Sequence, residues 1–424
     1  MTDRTPRPTT PSRRTFLQTS AATLAAGAAT LNAHAGGSDV LRVGLIGCGG
    51  RGTGAAGQAL TADPNLKLVA CGDAFPDRIS KCLGDLQDFE AKLDVPPERR
   101  FVGFDAYKSV IDNCDVVLLA TPPGFRPMHL KAAIGAGKHV FCEKPMAVDG
   151  PGVRSVLQTA ELAKQKKLCL VSGFCYRYDP PKRETVKRIH DGAIGDVLAI
   201  HASYNTGTLW NRDRTPEMTD MQWQMRNWYY FTWLSGDHIV EQHIHNLDKA
   251  AWVLKNTYPI SAVGLGGRQV RTDPKFGHIY DHHAVIFEYQ NGTKVFSFCR
   301  QMAKCFNDVS DHVIGTKGSA QMMRHTIDGA TQWRFPRGRS ENMYQVEHNE
   351  LFAAIRAGEL INDGDFMAKS TLMGILGRMA TYTGQKVTWE QALNSQENLM
   401  PASLDWNSPP PPAVVALPGT TKVV

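Results

Sequence analysis

Two short stretches of this sequence carry side chains able to take a proton while a hydride departs. The first is Glu143-Lys144-Pro145, directly after the apolar run Lys138-His139-Val140-Phe141-Cys142. Oxidising an alcohol sends its O–H proton to a base as the C–H hydride goes to a nicotinamide. A partly desolvated lysine beside a cationic ring has the lowered pKa such a base needs. Glu143 stands next to Lys144, where it can orient it. The second stretch runs from Asp237 to Asp248 and holds His238, Glu241, His243 and His245. Its spacing predicts one helix over 237–254, with Ile244, Leu247, Ala251 and Leu254 as the apolar stripe. Glu241 and His245 then share a face, with His238 one turn earlier. A carboxylate beside an imidazole raises its basicity and fixes its orientation. His245 is therefore the candidate acid/base, Glu241 its partner or alternate, and His238 a neighbour able to meet substrate. His238, Glu241 and His245 also have a spacing that can converge on zinc. Hydride transfer assisted by a lysine needs no metal, and none is expected.

Such groups act only if something holds the nicotinamide beside them. Val40 to Ile46 is a β-rich apolar run, and Gly47-Cys48-Gly49-Gly50-Arg51-Gly52 follows it at once. Gly47, Gly49 and Gly52 fit G-x-G-x-x-G: one glycine for the tight turn, one for close approach of pyrophosphate, one for packing of helix on strand. Residues 53–60 continue helically and aim free N–H groups at the phosphates. A second strand over 67–72 ends in Asp73, 21 residues after Gly52, where a ribose-binding carboxylate belongs. An acid there repels a 2′-phosphate and favours NAD, while nearby Arg78 keeps NADP open. Cys114 to Ala120 reads as a buried parallel strand ending in Thr121-Pro122, followed by a helix over 127–136 and the short strand before Glu143. Alternating strand and helix predict a doubly wound parallel sheet, with ligands at the strands' carboxyl ends. Thr121, Pro122, Glu143 and Lys144 stand at such ends.

The motif G-C-G-G-R-G, then A-T-P-P with His129, then A-G-K-H-V-F-C-E-K-P resembles the Gfo/Idh/MocA oxidoreductase family. Gly173-Phe174 with Arg177, Gly192 to Val197 and Gly315-Thr316-Lys317-Gly318 extend the likeness over about residues 40–395. The resemblance implies a Rossmann domain over 39–160 and an α/β domain over 161–400 with an open, mainly antiparallel sheet. One face of that sheet would cover the nicotinamide, and the other would build a homodimer or homotetramer. The resemblance also places His129, Tyr176 and Arg177 near the cofactor and makes an Asp and a His at D-x-x-x-H the acid/base pair. Here Glu241 replaces the Asp, and its longer arm changes which group meets substrate. The implied activity is oxidation of a sugar or glycoside hydroxyl with a tightly held cofactor. The alternative is cleavage of a glycoside through transient oxidation, which an intact Glu143-Lys144-Pro145 disfavours.

Trp210, Trp223, Trp228 and Trp233 are four of the chain's eight tryptophans, interleaved with Arg212, Arg214 and Arg226. Aromatic faces with fixed polar groups suit a carbohydrate ring, and Trp228 with Tyr176 is the expected contact, although core packing explains most such residues. Arg300, Gln301 and His348 are further candidates for the pocket wall.

The chain has 424 residues and a net charge of +6, of which Arg4, Arg7, Arg13 and Arg14 against Asp3 supply half. The remainder is too weakly basic to mark a nucleic-acid binder. No stretch is long and apolar enough to read as a membrane span. Ser12-Arg13-Arg14-Thr15-Phe16-Leu17, a mild apolar segment and Ala33-His34-Ala35 read as a twin-arginine export signal over 1–35, hence a periplasmic or otherwise exported protein. That route carries folded proteins, so a cofactor would be loaded before transit. Nine cysteines, none in a C-x-x-C, read as buried free thiols. Residues 401–424 form a proline-rich arm that would lie along a neighbouring subunit or fray.

Overall fold

The computed structural model describes residues 39–423, apart from residues 331, 337 and 339. The export signal expected over 1–35 lies outside the described residues.

Six strands form the first sheet: β1 (Leu41–Ile46), β2 (Leu66–Asp73), β3 (Arg100–Val102), β4 (Val116–Leu119), β5 (His139–Cys142) and β6 (Leu170–Ser172). Their order is β3-β2-β1-β4-β5-β6, the doubly wound arrangement the sequence predicts. Val43 lies opposite Val116, and Val116 opposite His139, both in parallel register. Every residue of β4 is buried, as a central strand coated on both faces requires. Strand β6 pairs in parallel with β5, so this sheet runs past residue 160, where the sequence reading ended the domain.

Nine strands form the second sheet: β7 (Val197–Thr206), β8 (Ser261–Gly267), β9 (His282–Glu288), β10 (Lys294–Gln301), β11 (Asp308–Gly315), β12 (Gly318–Gln321), β13 (Thr326–Gly329), β14 (Trp333–Arg334) and β15 (Val387–Thr388). Their order is β14-β13-β12-β11-β7-β10-β9-β8-β15, antiparallel except for the β7–β10 pair. Along β10, Val295, Ser297, Cys299 and Gln301 point inward, while Phe298 between them is exposed. The helix Gly364–Thr383 is buried almost all round, because it packs on helix Gly150–Gln165 of the first domain and on β8 and β9 of the second.

Eight of the nine cysteines are buried free thiols, and Cys305 is the exposed exception. The proline-rich arm lies on its own chain. Tyr280 O–H donates to the Ala416 carbonyl at 2.9 Å and Gly419 N–H to the Thr383 carbonyl at 2.8 Å, while Leu399, just before the arm, donates its N–H to Asp149 Oδ2 at 2.9 Å. Among the described residues no helix is long and apolar enough to cross a membrane.

Candidate active site

The glycine loop builds one wall of a cleft of about 580 Å³. Gly47 leaves β1 with φ +95°, and a Cβ there would meet the Ala120 and Thr121 backbone at 2.6 Å. A Cβ on Gly52 would lie 1.9 Å from the Gly47 carbonyl oxygen. Gly49 and Gly50, in contrast, have nothing within 4 Å of a built Cβ, so their free side is the cleft. The helix Gly50–Ala62 starts there, and its first N–H groups lack partners within the helix. Asp73, at the end of β2, lines the same cleft and accepts from Cys48 N–H at 2.8 Å and Phe75 N–H at 3.0 Å. Burial raises its carboxyl above the usual range, and these two N–H groups partly offset that. Asp73 at the ribose position and an open glycine loop fit the adenosine and pyrophosphate of NAD.

Glu143 follows β5 and turns its carboxylate to Arg51, whose Nε is 2.5 Å away, and to the Lys144 N–H at 3.2 Å. It fixes the backbone of Lys144 rather than its ammonium. Gly173 makes room for this carboxylate, since a Cβ would sit 2.6 Å from Glu143 Oε2. Arg51 also donates to Gln58 Oε1 at 2.7 Å and lies over the Tyr344 ring at 4.8 Å. Behind it Glu347, fully buried, stands 3.7 Å from Arg51 Nη2. Burial, then the charge of Glu143, pushes the Glu347 carboxyl well above its ordinary value. Arg126 donates to the Pro145 carbonyl at 2.5 Å and so braces the Glu143-Lys144-Pro145 turn.

Lys144 Nζ crosses to the second domain and donates to Glu241, at 2.5 Å to the carbonyl oxygen and 3.0 Å to Oε1. His245 lines the same part of the cleft, its ring edge-on to Phe174 and Tyr176 at centroid distances of 6.4 and 5.1 Å. Its Nδ1 is buried without a partner. Burial, followed by the charges of Lys144, Lys249 and Lys182, holds its pKa well below the ordinary histidine value, so the ring is neutral at pH 7.

The single helix expected over 237–254 is two: His238–Glu241 and Ile244–Val253. Side chains at the break are claimed by the sheet. Gln242 Oε1 accepts from Gln301 at 2.8 Å, and His243 Nε2 meets Ser297 Oγ at 2.7 Å. Glu241 and His245 still reach the cleft, but His238 does not. Its Nδ1 binds Asp237 Oδ1 at 2.8 Å in a buried cluster with His283, so the expected substrate contact at His238 is corrected to a core role. That cluster, rather than His238, Glu241 and His245, is where an acid and two imidazoles come close enough to share a cation. Asp237 Oδ2 is already engaged by Tyr280 N–H at 2.9 Å and Tyr382 O–H at 2.5 Å.

Arg177 is another correction. It forms a buried ion pair with Asp248, Nη2 to Oδ1 2.8 Å, and does not line the cleft. Tyr176 packs behind His245 without lining it either. Thr121, Pro122 and His129 do line it, with Thr121 Oγ1 3.3 Å from His129 Nδ1, and burial drives the His129 imidazole down to about 3. Trp210 and Trp228 face the cleft, whereas Trp233 belongs to the core and donates to Gln224 Oε1 at 2.6 Å. Arg300, Gln301 and His348 are not on its wall. Arg126 and Tyr344 are wall residues that no local motif marks in the sequence.

Residues 41–174 match the family described as "Oxidoreductase family, NAD-binding Rossmann fold", and residues 183–321 match the GFO/IDH/MocA C-terminal domain. Inositol 2-dehydrogenase of Serratia proteamaculans is 27% identical over 335 residues, covering 76% of this chain and 87% of that protein. Inositol 2-dehydrogenase of Pseudomonas fluorescens is 28% identical over 334 residues, covering 76% and 88%. Among solved structures, a levoglucosan dehydrogenase in complex with NADH and levoglucosan superposes with TM-score 0.63 at 20% identity, over 82% of this chain and 99% of that one. An aldose-aldose oxidoreductase from Caulobacter crescentus gives the same TM-score of 0.63, at 20% identity and the same coverage of 82% and 99%. With both halves of its cleft accounted for by matching domains, this chain belongs to the Gfo/Idh/MocA family of oxidoreductases.

Proposed function

We propose that this protein oxidises a ring hydroxyl of a sugar or cyclitol, with NAD as the hydride acceptor. The observation that carries this reading is the meeting of Lys144, Glu241 and neutral His245 on the cleft whose other wall is the glycine loop. NAD, when bound along Gly49–Gly52 and Asp73, supplies the electrophilic ring carbon that takes the hydride. The chain's own groups then manage the proton. A hydroxyl lying between Lys144 Nζ and His245 receives a hydrogen bond from the ammonium and gives its proton to the neutral imidazole. Glu241 keeps the ammonium in place, and Glu143 holds the Lys144 backbone. Trp210, Trp228 and Phe125 line the cleft with apolar surface for a ring's C–H faces. Relatives named for inositol, levoglucosan and aldoses support this substrate class.

The proposal includes export and a retained cofactor. The twin-arginine motif at Arg13-Arg14 and the sealed thiols support folding, with NAD loaded, before transit. It also includes a dimer or tetramer built on the outer face of the second sheet, where Leu265, Phe298, Ile314 and Leu198 are exposed. A gel-filtration mass equal to one chain would remove that part.

The experiment is made on protein recovered after export and desalted. Denaturation and mass spectrometry report any dinucleotide it carries, and nicotinamide fluorescence follows its reduction by a panel of sugars, cyclitols and glycosides. Stoichiometric NAD reduced by one sugar or cyclitol is the expected result. Glycoside cleavage without net reduction would replace oxidation with redox-assisted hydrolysis. Absence of carried dinucleotide together with reduction of added NAD would leave the dehydrogenase and remove the retained cofactor.

A further inference from the structure

Among the basic and aromatic residues of 210–233 the sequence predicts a sugar contact at Trp228. The structure puts several of them at the opposite end of the cleft, beside Asp73. Arg226, the last residue of helix Asp220–Arg226, reaches the first domain and grips Asp77 with both terminal nitrogens, at 2.8 and 2.6 Å. Its guanidinium also lies over the Phe75 ring, 3.7 Å from the centroid. Phe75 is the residue whose N–H binds the Asp73 carboxylate at 3.0 Å. Trp406, from the C-terminal arm, packs against the same Phe75 ring at 5.1 Å and against Phe104 at 4.4 Å. Phe75, Phe104, Met225 and Arg226 all line the cleft. Arg78 and Arg212 line it too, and among the described residues neither makes an ion pair.

Segments far apart in sequence thus meet on Phe75 and Asp77, two and four residues after the ribose carboxylate. A bidentate guanidinium–carboxylate pair and a cation–aromatic contact are both directional, and sharing Arg226 makes them open together. Resting on the reading that the cleft holds a dinucleotide, we propose that Arg226, with Asp77, Phe75 and Trp406, forms a latch over its adenosine end. The latch sets how long the dinucleotide stays bound. The second domain therefore contributes to the cofactor site as well as supplying Glu241 and His245. Arg78 and Arg212, left with unspent charge beside Asp73, face the same ligand from the two domains.

The test measures release rather than turnover. The full-length protein is loaded with fluorescent etheno-NAD, desalted, and mixed with excess NAD, and the rate of probe loss is recorded for wild type, Arg226→Met, Asp77→Asn and the double variant. Asp77→Asn changes an exposed side chain and preserves the fold, so it stands if Arg226→Met proves unstable. Each single variant should release the probe about tenfold faster, and the double variant no faster than either, because all three remove one pair. Trp406→Leu should also speed release. Slow release that is the same in all variants overturns the latch and leaves the functional reading intact. An effect of Arg226→Met without one of Asp77→Asn also overturns it, since Arg226 would then act on the ligand alone. Failure of the wild-type protein to bind etheno-NAD or NAD overturns the functional reading itself, and the latch with it.

Discussion

Lys144 is held twice by Glu241, its Nζ 2.5 Å from that residue's carbonyl oxygen and 3.0 Å from its Oε1. The backbone contact ties the ammonium to the start of the break between two short helices, and the carboxylate contact adds charge. A shorter aspartate at this position would start from the same backbone but reach less far. The longer glutamate instead spans to a lysine delivered by the other domain.

Removing the carboxylate charge should therefore weaken chemistry without releasing the lysine. Glu241→Gln is expected to lower kcat/KM for the sugar by about 10- to 100-fold, with NAD affinity unchanged. Lys144→Met and His245→Ala should each lower kcat by about 10²- to 10⁴-fold. Steady-state kinetics paired with NAD titration of each variant check both statements, and a Glu241→Gln enzyme at wild-type rate would count against the assigned role.

Gly49 and Gly52 separate binding from folding. A Cβ at Gly49 meets nothing within 4 Å, while one at Gly52 falls 1.9 Å from the Gly47 oxygen. Gly49→Ala should keep the wild-type melting temperature and lose NAD affinity at least about tenfold, because the methyl group occupies the approach of the pyrophosphate. Gly52→Ala should lower the melting temperature as well. Calorimetry and NAD titration on the two variants distinguish them.

Arg177→Met leaves Asp248 buried without its cation. A loss of about 3–5 kcal/mol is expected, read by denaturant unfolding, with the NAD affinity of the folded protein unchanged. A variant of normal stability and poor NAD binding would restore Arg177 to the cofactor site.

Acid should unfold this protein early. Burial holds His129 and His348 down to about 3 and His238 and His278 down to about 4. The fold keeps these rings neutral, whereas the unfolded chain takes up their protons near pH 6.5 (about the free histidine value). Below that pH the unfolded state binds more protons, so stability is complete above about 6.5 and falls as the pH is lowered towards about 4. Each ring contributes a slope of up to about 1.4 kcal/mol per pH unit. The carboxyls that burial raises, Glu347 with Asp73, Asp149, Asp311 and Asp363, oppose this, while His243, His245 and His325, also held below the free value by burial, add to it. Melting temperatures measured from pH 7 to pH 4 should drop steeply, and a flat profile would contradict the burial argument.

The first domain was legible because its signals are local. The loop at 47–52, the acid Asp73 and the turn at Glu143-Lys144-Pro145 each sit within a few residues of the strand that positions them, and the parallel order follows from alternating periods. The second domain was legible as a class but not in detail. The break after Glu241 comes from Gln301 and Ser297 on β10, whose contacts no helical periodicity reveals. His238 and Arg177 were misplaced for the same reason, since Asp237 and Asp248 claim them through tertiary packing. Arg126, Tyr344 and the Arg226–Asp77 pair are contributed across long sequence separations, and nothing near them in the chain announces a partner.

The contact of Trp406 with Phe75 also fixes an order of events during synthesis. Phe75 leaves the ribosome early and can fold with the first sheet, but the aromatic wall beside the ribose end waits for Trp406. With the proposed latch, a nascent first domain presents a half-walled groove, and closure of the adenosine end follows translation of the arm.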